Sequence, residues 1–341
     1  FLMRKNKPYI IAEIGINHEG RLDYITKLIY AAKRSGADAV KFQIFKAETL
    51  ADKYSKVKKF YYNKKNYETL YKMWKRLELN ETKLNRINSL SKKLHIDLIF
   101  SIFDAESLKK LKKIKYKYIK VASSDINDFP LLKKLKKINK RLIVSTGMAN
   151  SNEIQKTINF LNKRNIYLLH CVSLYPCPIN KININRMLSL KKKFKIQIGF
   201  SDHSIGINAC LFALNKGANI IEKHFTLNKK SEGPDHALSA DEYDLKLICQ
   251  FAKDIKVLSG TGKINPIIEE LKIKKLARKS IYVKKEISKN EFFTEENLEI
   301  RRPKGFFDPI FLNKIINNKS IKNIKVGTNL KANHMKSFNQ S

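Results

Sequence analysis

Tyr9-Ile10-Ile11-Ala12-Glu13, the stretch from Leu22 to Arg34, and Ala39-Val40-Lys41-Phe42-Gln43 open the chain, and their order decides the fold. The first and third runs are short and almost continuously apolar, as strands buried on both faces of a parallel sheet are. The stretch between them reads as a helix that stops at Ser35-Gly36-Ala37. Further strand-like runs lie at 96–101, 118–123, 141–145, 166–170, 196–201 and 219–223, with helical patterns between them. Eight strands, each leading to a helix, predict a closed (β/α)8 TIM barrel rather than an open sheet. One connection is unusually long: residues 47–80 are polar but carry Trp74 and several tyrosines, which predicts a partly ordered lid.

The pattern breaks after a helix ending near Leu258. Residues 1–258 read as the barrel, 259–276 as a linker with one short helix, and 277–341 as a small β-rich domain. Its strands are Ser280-Ile281-Tyr282-Val283 and Leu298-Glu299-Ile300, and Met335 to Ser341 reads as a frayed or tagged end. The 341 residues accommodate a barrel of roughly 250 plus this tail, and 43% apolar residues suffice for its core.

The formal net charge of +38 raises the question of a nucleic-acid partner. Arginine, the residue that reads phosphates and bases bidentately, supplies only 11 of the 69 basic residues. The lysines are spread along the chain as solvated positions would be, and no helix-turn-helix, zinc-finger or RNP-like pattern occurs. We therefore expect no nucleic acid, although the excess charge would draw in anionic substrates. No apolar run is long enough to cross a membrane, and Phe1-Leu2-Met3-Arg4-Lys5 lacks the apolar core of a signal peptide. Cys171, Cys177, Cys210 and Cys249 show no paired spacing and read as buried thiols of a reducing, cytoplasmic compartment.

Barrel enzymes build their sites at the C-terminal ends of the strands. Those ends carry Glu13, Lys41, Gln43, Ser101, Lys120, Ser123, Asp125, Ser145, Ser173, Tyr175, Ser201, His203 and His224. Strand ends face water, so polarity alone is ordinary. Two lysines inside apolar strands and two histidines ending neighbouring strands are not. His203 and His224 are one βα unit apart, and adjacent strands lie about 4.8 Å apart, so the pair could share a metal ion with open positions for substrate. Two hydrogen-bonded core histidines explain the spacing equally well. His95, His170 and His334 read as structural. A lysine on an inward barrel strand needs an anion. It is either a Schiff-base lysine or, with its counterpart, a clamp for phosphate and carboxylate. Hydroxyls at Ser101, Ser123, Ser145 and Ser201 favour the clamp, and phosphoenolpyruvate carries both groups.

Ala12-Glu13-Ile14-Gly15-Ile16-Asn17-His18-Glu19-Gly20 resembles the opening motif of the sialic acid synthases. Lys120-Val121-Ala122-Ser123-Ser124, Ser145-Thr146-Gly147-Met148, His170-Cys171-Val172-Ser173-Leu174-Tyr175-Pro176, Gly199-Phe200-Ser201-Asp202-His203, Glu222-Lys223-His224-Phe225-Thr226 and Gly233-Pro234-Asp235-His236 continue the likeness in order. Each motif is weak alone, and the ordered set is specific. Through Arg301-Arg302-Pro303 the tail resembles the antifreeze-protein-like (SAF) domain of that family.

The resemblance implies condensation of phosphoenolpyruvate with a 2-acetamido mannose-type sugar to a nonulosonic acid, with release of phosphate. N-acetylmannosamine is the first expectation for the sugar, and the 2,4-diacetamido-trideoxy sugar of legionaminic acid synthases the alternative. It further implies Mn2+, with Mg2+ or Co2+ as substitutes, on His203 and His224 as a Lewis acid toward the sugar aldehyde. Lys41, Ser101, Lys120, Ser123, Ser145, Ser173 and Ser201 match phosphoenolpyruvate positions, and Glu13, Gln43, Tyr175 and Asp235 match sugar-side positions. Glu13 and Asp125 are candidates for water or proton handling. Arg302 matches an arginine that reaches the partner's barrel in a domain-swapped homodimer. Three positions depart from the pattern: Ser101 for a Thr, Ser173 for an Asn and Asp125 for a Glu of some members. Pseudaminic acid synthases tend to differ at 233–236. A noncatalytic carbohydrate-binding protein on a decayed barrel would have lost a lysine or a histidine, and this chain has lost none.

Overall fold

The computed structural model describes residues 7–54, 68–138 and 140–336. Eight parallel strands close into a barrel in sequence order: β1 (Tyr9–Gly15), β2 (Ala39–Ile44), β3 (Asp97–Ile102), β4 (Tyr118–Val121), β5 (Leu142–Ser145), β6 (Ile166–Cys171), β7 (Ile198–Asp202) and β8 (Ile220–His224). β8 pairs back onto β1, with Glu13 opposite His224. The strand expected at 118–123 is shorter. The chain leaves β4 at Val121 and makes a 3-10 turn over Ser123–Asp125, which puts these polar side chains at the barrel mouth.

Side chains alternate across each strand. The outward set, including Ile10, Val40, Phe42, Phe100, Ile119, Val144, Phe200 and Ile221, is buried against the helical layer. The helix Leu22–Arg34 faces it with Ile25, Leu28, Ile29 and Ala32, and places Asp23 in its first turn and Lys33 and Arg34 in its last, favourable at both ends of the dipole. The chain leaves that helix through Gly36 at φ 89°, a conformation that favours glycine. The lower barrel is filled by inward Tyr9, Ile11, Ala39, Ile99, Tyr118, Ile143, Tyr167, Leu169 and Ile220. Tyr118 meets Tyr9 and Tyr167 edge-on at centroid distances of 6.0 and 5.8 Å. Each of the isoleucine and leucine side chains among them contributes about 1.5–3 kcal/mol by burial. This apolar plug is the floor on which the polar mouth stands.

The segment expected to form a lid is anchored at both ends. Helices span Ala47–Leu50 and Leu70–Leu77, and Met73 and Leu77 pack with Ile16 and Phe45. Trp74 meets Phe45 edge-on at 5.1 Å. Its middle, 55–67, lies outside the described residues.

The chain divides into two compact units, Phe1–Gly260 and Thr261–Ser341. The last barrel helix runs through Ser259 and ends at Gly260. A helix over Ile268–Ala277, expected in a linker, belongs with the second unit, where the Lys304 amide donates to the Lys275 carbonyl at 2.9 Å. There β9 (Ser280–Val283) and β10 (Leu298–Arg301) pair antiparallel over a separate core that includes Ile281, Val283, Phe293, Phe307 and Leu330. Met335 is buried in that core and bridges to Ser320, so the chain is packed through a residue expected to fray. Residues 337–341 lie outside the described set.

Candidate active site

Above the apolar floor most inward positions turn polar. Lys41 Nζ lies 2.8 Å from Glu13 Oε1 and 3.7 Å from Glu222 Oε2, and it donates to Ser101 Oγ at 2.8 Å. Lys120 Nζ lies 3.7 Å from Glu222 Oε1, which also accepts from Ser201 Oγ at 2.9 Å. Gln43 Nε2 donates to Glu13 Oε1 at 3.2 Å. Two lysines and two glutamates are thus buried together, each at most 5% exposed. Burial works against the charge on Lys41, but Glu13 and Glu222 outweigh it and hold the ammonium above its ordinary range. Burial likewise opposes the charge on Glu222, yet Lys120 and Lys41 win and keep its carboxyl low. At Glu13 burial wins over Lys41, and the carboxyl is held high. Lys120, with its glutamate farther away, is lowered by burial.

Beside this quartet lies a cradle of small groups. Ser123 Oγ accepts from the Gly147 amide at 3.0 Å and touches Cys171 Sγ at 3.0 Å. Ser145 Oγ and Ser173 Oγ are buried with no hydrogen-bond partner. A Cβ on Gly147 would lie 2.3 Å from Ser173 Oγ, 2.7 Å from Ser123 Oγ and 2.8 Å from Cys171 Sγ, so only glycine leaves this space open. Unsatisfied buried hydroxyls are costly unless a ligand meets them, and an oxyanion would.

The histidines form the third group. His203 Nδ1 lies 2.7 Å from the Val172 carbonyl, so it carries the proton and leaves Nε2 with a lone pair. Burial depresses His203 to about 4 and, together with the nearby His203 ring, holds His224 well below the usual histidine range; both are neutral at pH 7, as metal ligands must be. Their ring centroids are 5.6 Å apart, and His224 Nδ1 is 3.5 Å from Asp235 Oδ2 with no hydrogen-bond partner. Tyr175 lies 4.2 Å from the His203 ring and meets His224 edge-on at 6.1 Å. Among the described residues no group of three or more His, Cys, Asp or Glu side chains is assembled for a metal.

The fold therefore gathers Glu13, Lys41, Gln43, Ser101, Lys120, Ser123, Ser145, Ser173, Tyr175, Ser201, His203, His224 and Asp235 around one mouth. The Ser201 hydroxyl donates to Glu222 within this group. Asp125 stands on the 3-10 turn, where burial raises its carboxyl to about 6 and Oδ2 has no partner. Arg302 is exposed on the second unit, next to the end of β10. His170, by contrast, points outward and bonds the Ile182 carbonyl at 2.8 Å. Sequence reading passed over Glu222, although Ile220, Glu222 and His224 alternate onto one face of β8 and the period of two could have found it.

A closed barrel whose mouth holds two buried lysines, unsatisfied hydroxyls and two neutral imidazoles is the site of an enzyme for a small oxyanion-bearing substrate. The NeuB family profile matches residues 28–264. The N,N'-diacetyllegionaminic acid synthase of Campylobacter jejuni is 40% identical over 327 residues, 94% of this chain and 97% of that protein. That of Legionella pneumophila is 36% identical over 337 residues, covering 96% and 94%. The crystal structure of N-acetylneuraminic acid (sialic acid) synthetase from Leptospira borgpetersenii in complex with citrate is 30% identical, covers 80% of this chain and 94% of its own, and superposes with a TM-score of 0.71. The chain belongs to the NeuB family, the sialic acid synthase family its motifs resemble.

Proposed function

We propose that this enzyme condenses phosphoenolpyruvate with a 2-acetamido mannose-type sugar to give a nonulosonic acid and phosphate. The observation that carries the reading is the buried Lys41–Lys120–Glu13–Glu222 quartet beside the Ser145 and Ser173 hydroxyls, which have no partner of their own. The lysines hold the carboxylate and phosphate of phosphoenolpyruvate, and the glycine-lined cradle takes phosphate oxygens. Two lysines and two glutamates carry no net charge, so a multiply charged anion needs compensation. Glu13, held high by burial, is the group best placed to take a proton as the anion enters, and with Asp125 it handles protons during turnover.

His203 and His224 hold a divalent cation, Mn2+ or in its place Mg2+ or Co2+; when bound it supplies Lewis acidity toward an aldehyde oxygen. Tyr175, Gln43 and Asp235 orient the sugar at the same rim. The second unit acts as an SAF-type domain that delivers Arg302 to the barrel of a second copy in a homodimer. The four free, buried cysteines are compatible with a reducing cytoplasm. For the acceptor, the legionaminic acid synthases among the relatives favour the 2,4-diacetamido-trideoxy sugar. N-acetylmannosamine is the second reading, favoured by the likeness to the Leptospira synthetase.

Phosphate release from phosphoenolpyruvate, measured with Mn2+ and each sugar before and after chelation by EDTA, tests the proposal. We expect release that depends on sugar and metal, fastest with the diacetamido sugar. No release with any 2-acetamido sugar would sink it.

A further inference from the structure

The residues immediately before the two histidines, Asp202 and Lys223, are oppositely charged. They are direct partners across β7 and β8, and theirs is the last rung of that ladder. His203 and His224 each come one residue later, beyond the rung, where strand pairing no longer fixes their separation. Alternation sends the histidines inward and Asp202 and Lys223 outward, behind the mouth.

Lys223 Nζ lies 2.8 Å from Asp202 Oδ2, and the two side chains are 0% and 1% exposed. The same ammonium donates to the Ser204 carbonyl, so it grips the residues on both sides of His203. Asp202 Oδ1 accepts from the Ser204 amide at 2.9 Å and from Ser204 Oγ at 2.7 Å, closing the backbone around His203. Cys210 Sγ adds a fourth donor to the carboxylate at 3.3 Å. At His224 the backbone is held as well: the Ala240 amide donates to its carbonyl at 2.7 Å, and the next amide, Phe225, donates to the Glu13 carbonyl at 2.7 Å. A buried ion pair in an otherwise apolar layer adds little net stability over a well-packed hydrophobic pair, so its presence asks for another role.

We infer that Asp202 and Lys223 are positioning residues that set the separation and direction of His203 and His224 for a shared divalent cation. This rests on the reading of the two histidines as metal ligands. The strap touches neither substrate nor cation; it acts through the backbone of the ligands, as outer-shell partners of metal sites do.

The test is Mn2+ binding by the full-length protein, read by the electron paramagnetic resonance of free Mn2+, with circular dichroism to monitor folding. Binding by the wild type that is lost in H203A and H224A upholds the ligand reading. Wild type that binds no Mn2+, or histidine variants that bind it unchanged, would overturn that reading and the inference with it. The charge-balanced double variant D202N/K223M then tests the strap alone. We expect a native fold and a Kd for Mn2+ raised roughly 10- to 100-fold. A folded double variant with wild-type Kd overturns the inference and leaves the ligand reading standing. Should the double variant not fold, S204A and K223R are the milder pair. S204A removes one hydrogen bond from Asp202, and K223R puts a planar head where an ammonium fits. A weakened Kd in either folded protein supports the strap, and wild-type Kd in both overturns it.

Discussion

Replacing Lys41 by methionine separates what the buried quartet does for folding from what it does for substrate. The ammonium is 3% exposed, 2.8 Å from Glu13 and 3.7 Å from Glu222. Without it Glu13 keeps only Gln43 at 3.2 Å, and its carboxyl is left in the barrel interior with no cation beside it. Removing one member of a buried pair costs about 3–5 kcal/mol, because the other charge is left uncompensated. At about 2–4 °C per kcal/mol for a unit of this size, K41M should melt roughly 6–20 °C below wild type. The loss should depend on pH with a definite sign. Glu13 already sits above its ordinary value, and losing Lys41 pushes it further up, so the native state binds the proton more tightly than the unfolded state. Stability from such a group is present at low pH and lost as pH rises through the folded value, so K41M should be worse at about pH 8 than at about pH 5.5. The second variant, K41M/E13Q, removes the stranded charge while keeping the shape. It should recover most of the melting temperature, while its condensation activity should stay far below wild type because Lys120 alone is left to hold an anion built for two lysines. Thermal melts followed by circular dichroism at both pH values, with phosphate-release assays alongside, provide the measurement. A K41M protein that melts within about 1 °C of wild type, or a double variant less stable than K41M, would refute the account of the quartet.

Gly147→Ala puts a methyl 2.3 Å from Ser173 Oγ, in the cradle rather than in the core. We expect at least a roughly 10-fold rise in the KM for phosphoenolpyruvate, with a melting temperature lowered by roughly 2–12 °C as the three side chains shift, and an unchanged KM would show that the cradle takes no phosphate. Asp125, raised to about 6 by burial, should produce an inflection near that pH in kcat/KM that disappears in D125N. Its native form also holds the proton better than the unfolded form, so wild type should gain stability as pH falls through that value and D125N should not. Mixing H224A with R302A tests the shared site. Each should be inactive alone, but in a domain-swapped dimer one barrel of every heterodimer is complete, so about a quarter of the sites should regain activity. No recovery after subunit exchange would place Arg302 outside the partner's site.

The barrel was legible because its strands are apolar on both faces and its helices on one. Leu22–Arg34 was recovered to the residue, and the start of β1 at Tyr9, because the periodicity changes there within a few residues. What misled was polarity at strand ends. Ser123 reads like the continuation of β4 but sits in a turn, since local composition does not tell a strand's last polar residue from a loop's first. The lysines and histidines were conspicuous because apolar strands surround them. Glu222 was hidden by its neighbours: in Glu222-Lys223-His224 three charged or titratable residues follow one another; the period of two puts the first and third on one face, and the barrel makes that face the mouth while the second faces the helices. Met335 was lost for the opposite reason, an apolar residue near a polar chain end that looks like a tail until its core is seen.

The same distinction resolves the charge of the chain. A formal +38 describes its lysines as one population, yet they divide sharply by burial. Among the described residues only Lys41, Lys120 and Lys223 are buried, and all three lie on barrel strands. Each faces a carboxylate: Glu13 and Glu222 for Lys41, Glu222 for Lys120, Asp202 for Lys223. A solvated lysine costs little and is screened within about 8–10 Å at physiological salt, so the exposed ones add at most a diffuse attraction for anions. A buried one must be compensated or lose its proton, and that requirement ties its position to a partner. Two of the three partnerships stand at the mouth, where an incoming anion can exchange with the carboxylates. The third is sealed behind the histidines, where nothing can exchange with it. The first kind of lysine can meet an incoming anion and the second kind cannot, a difference that follows from access alone and that net charge cannot express.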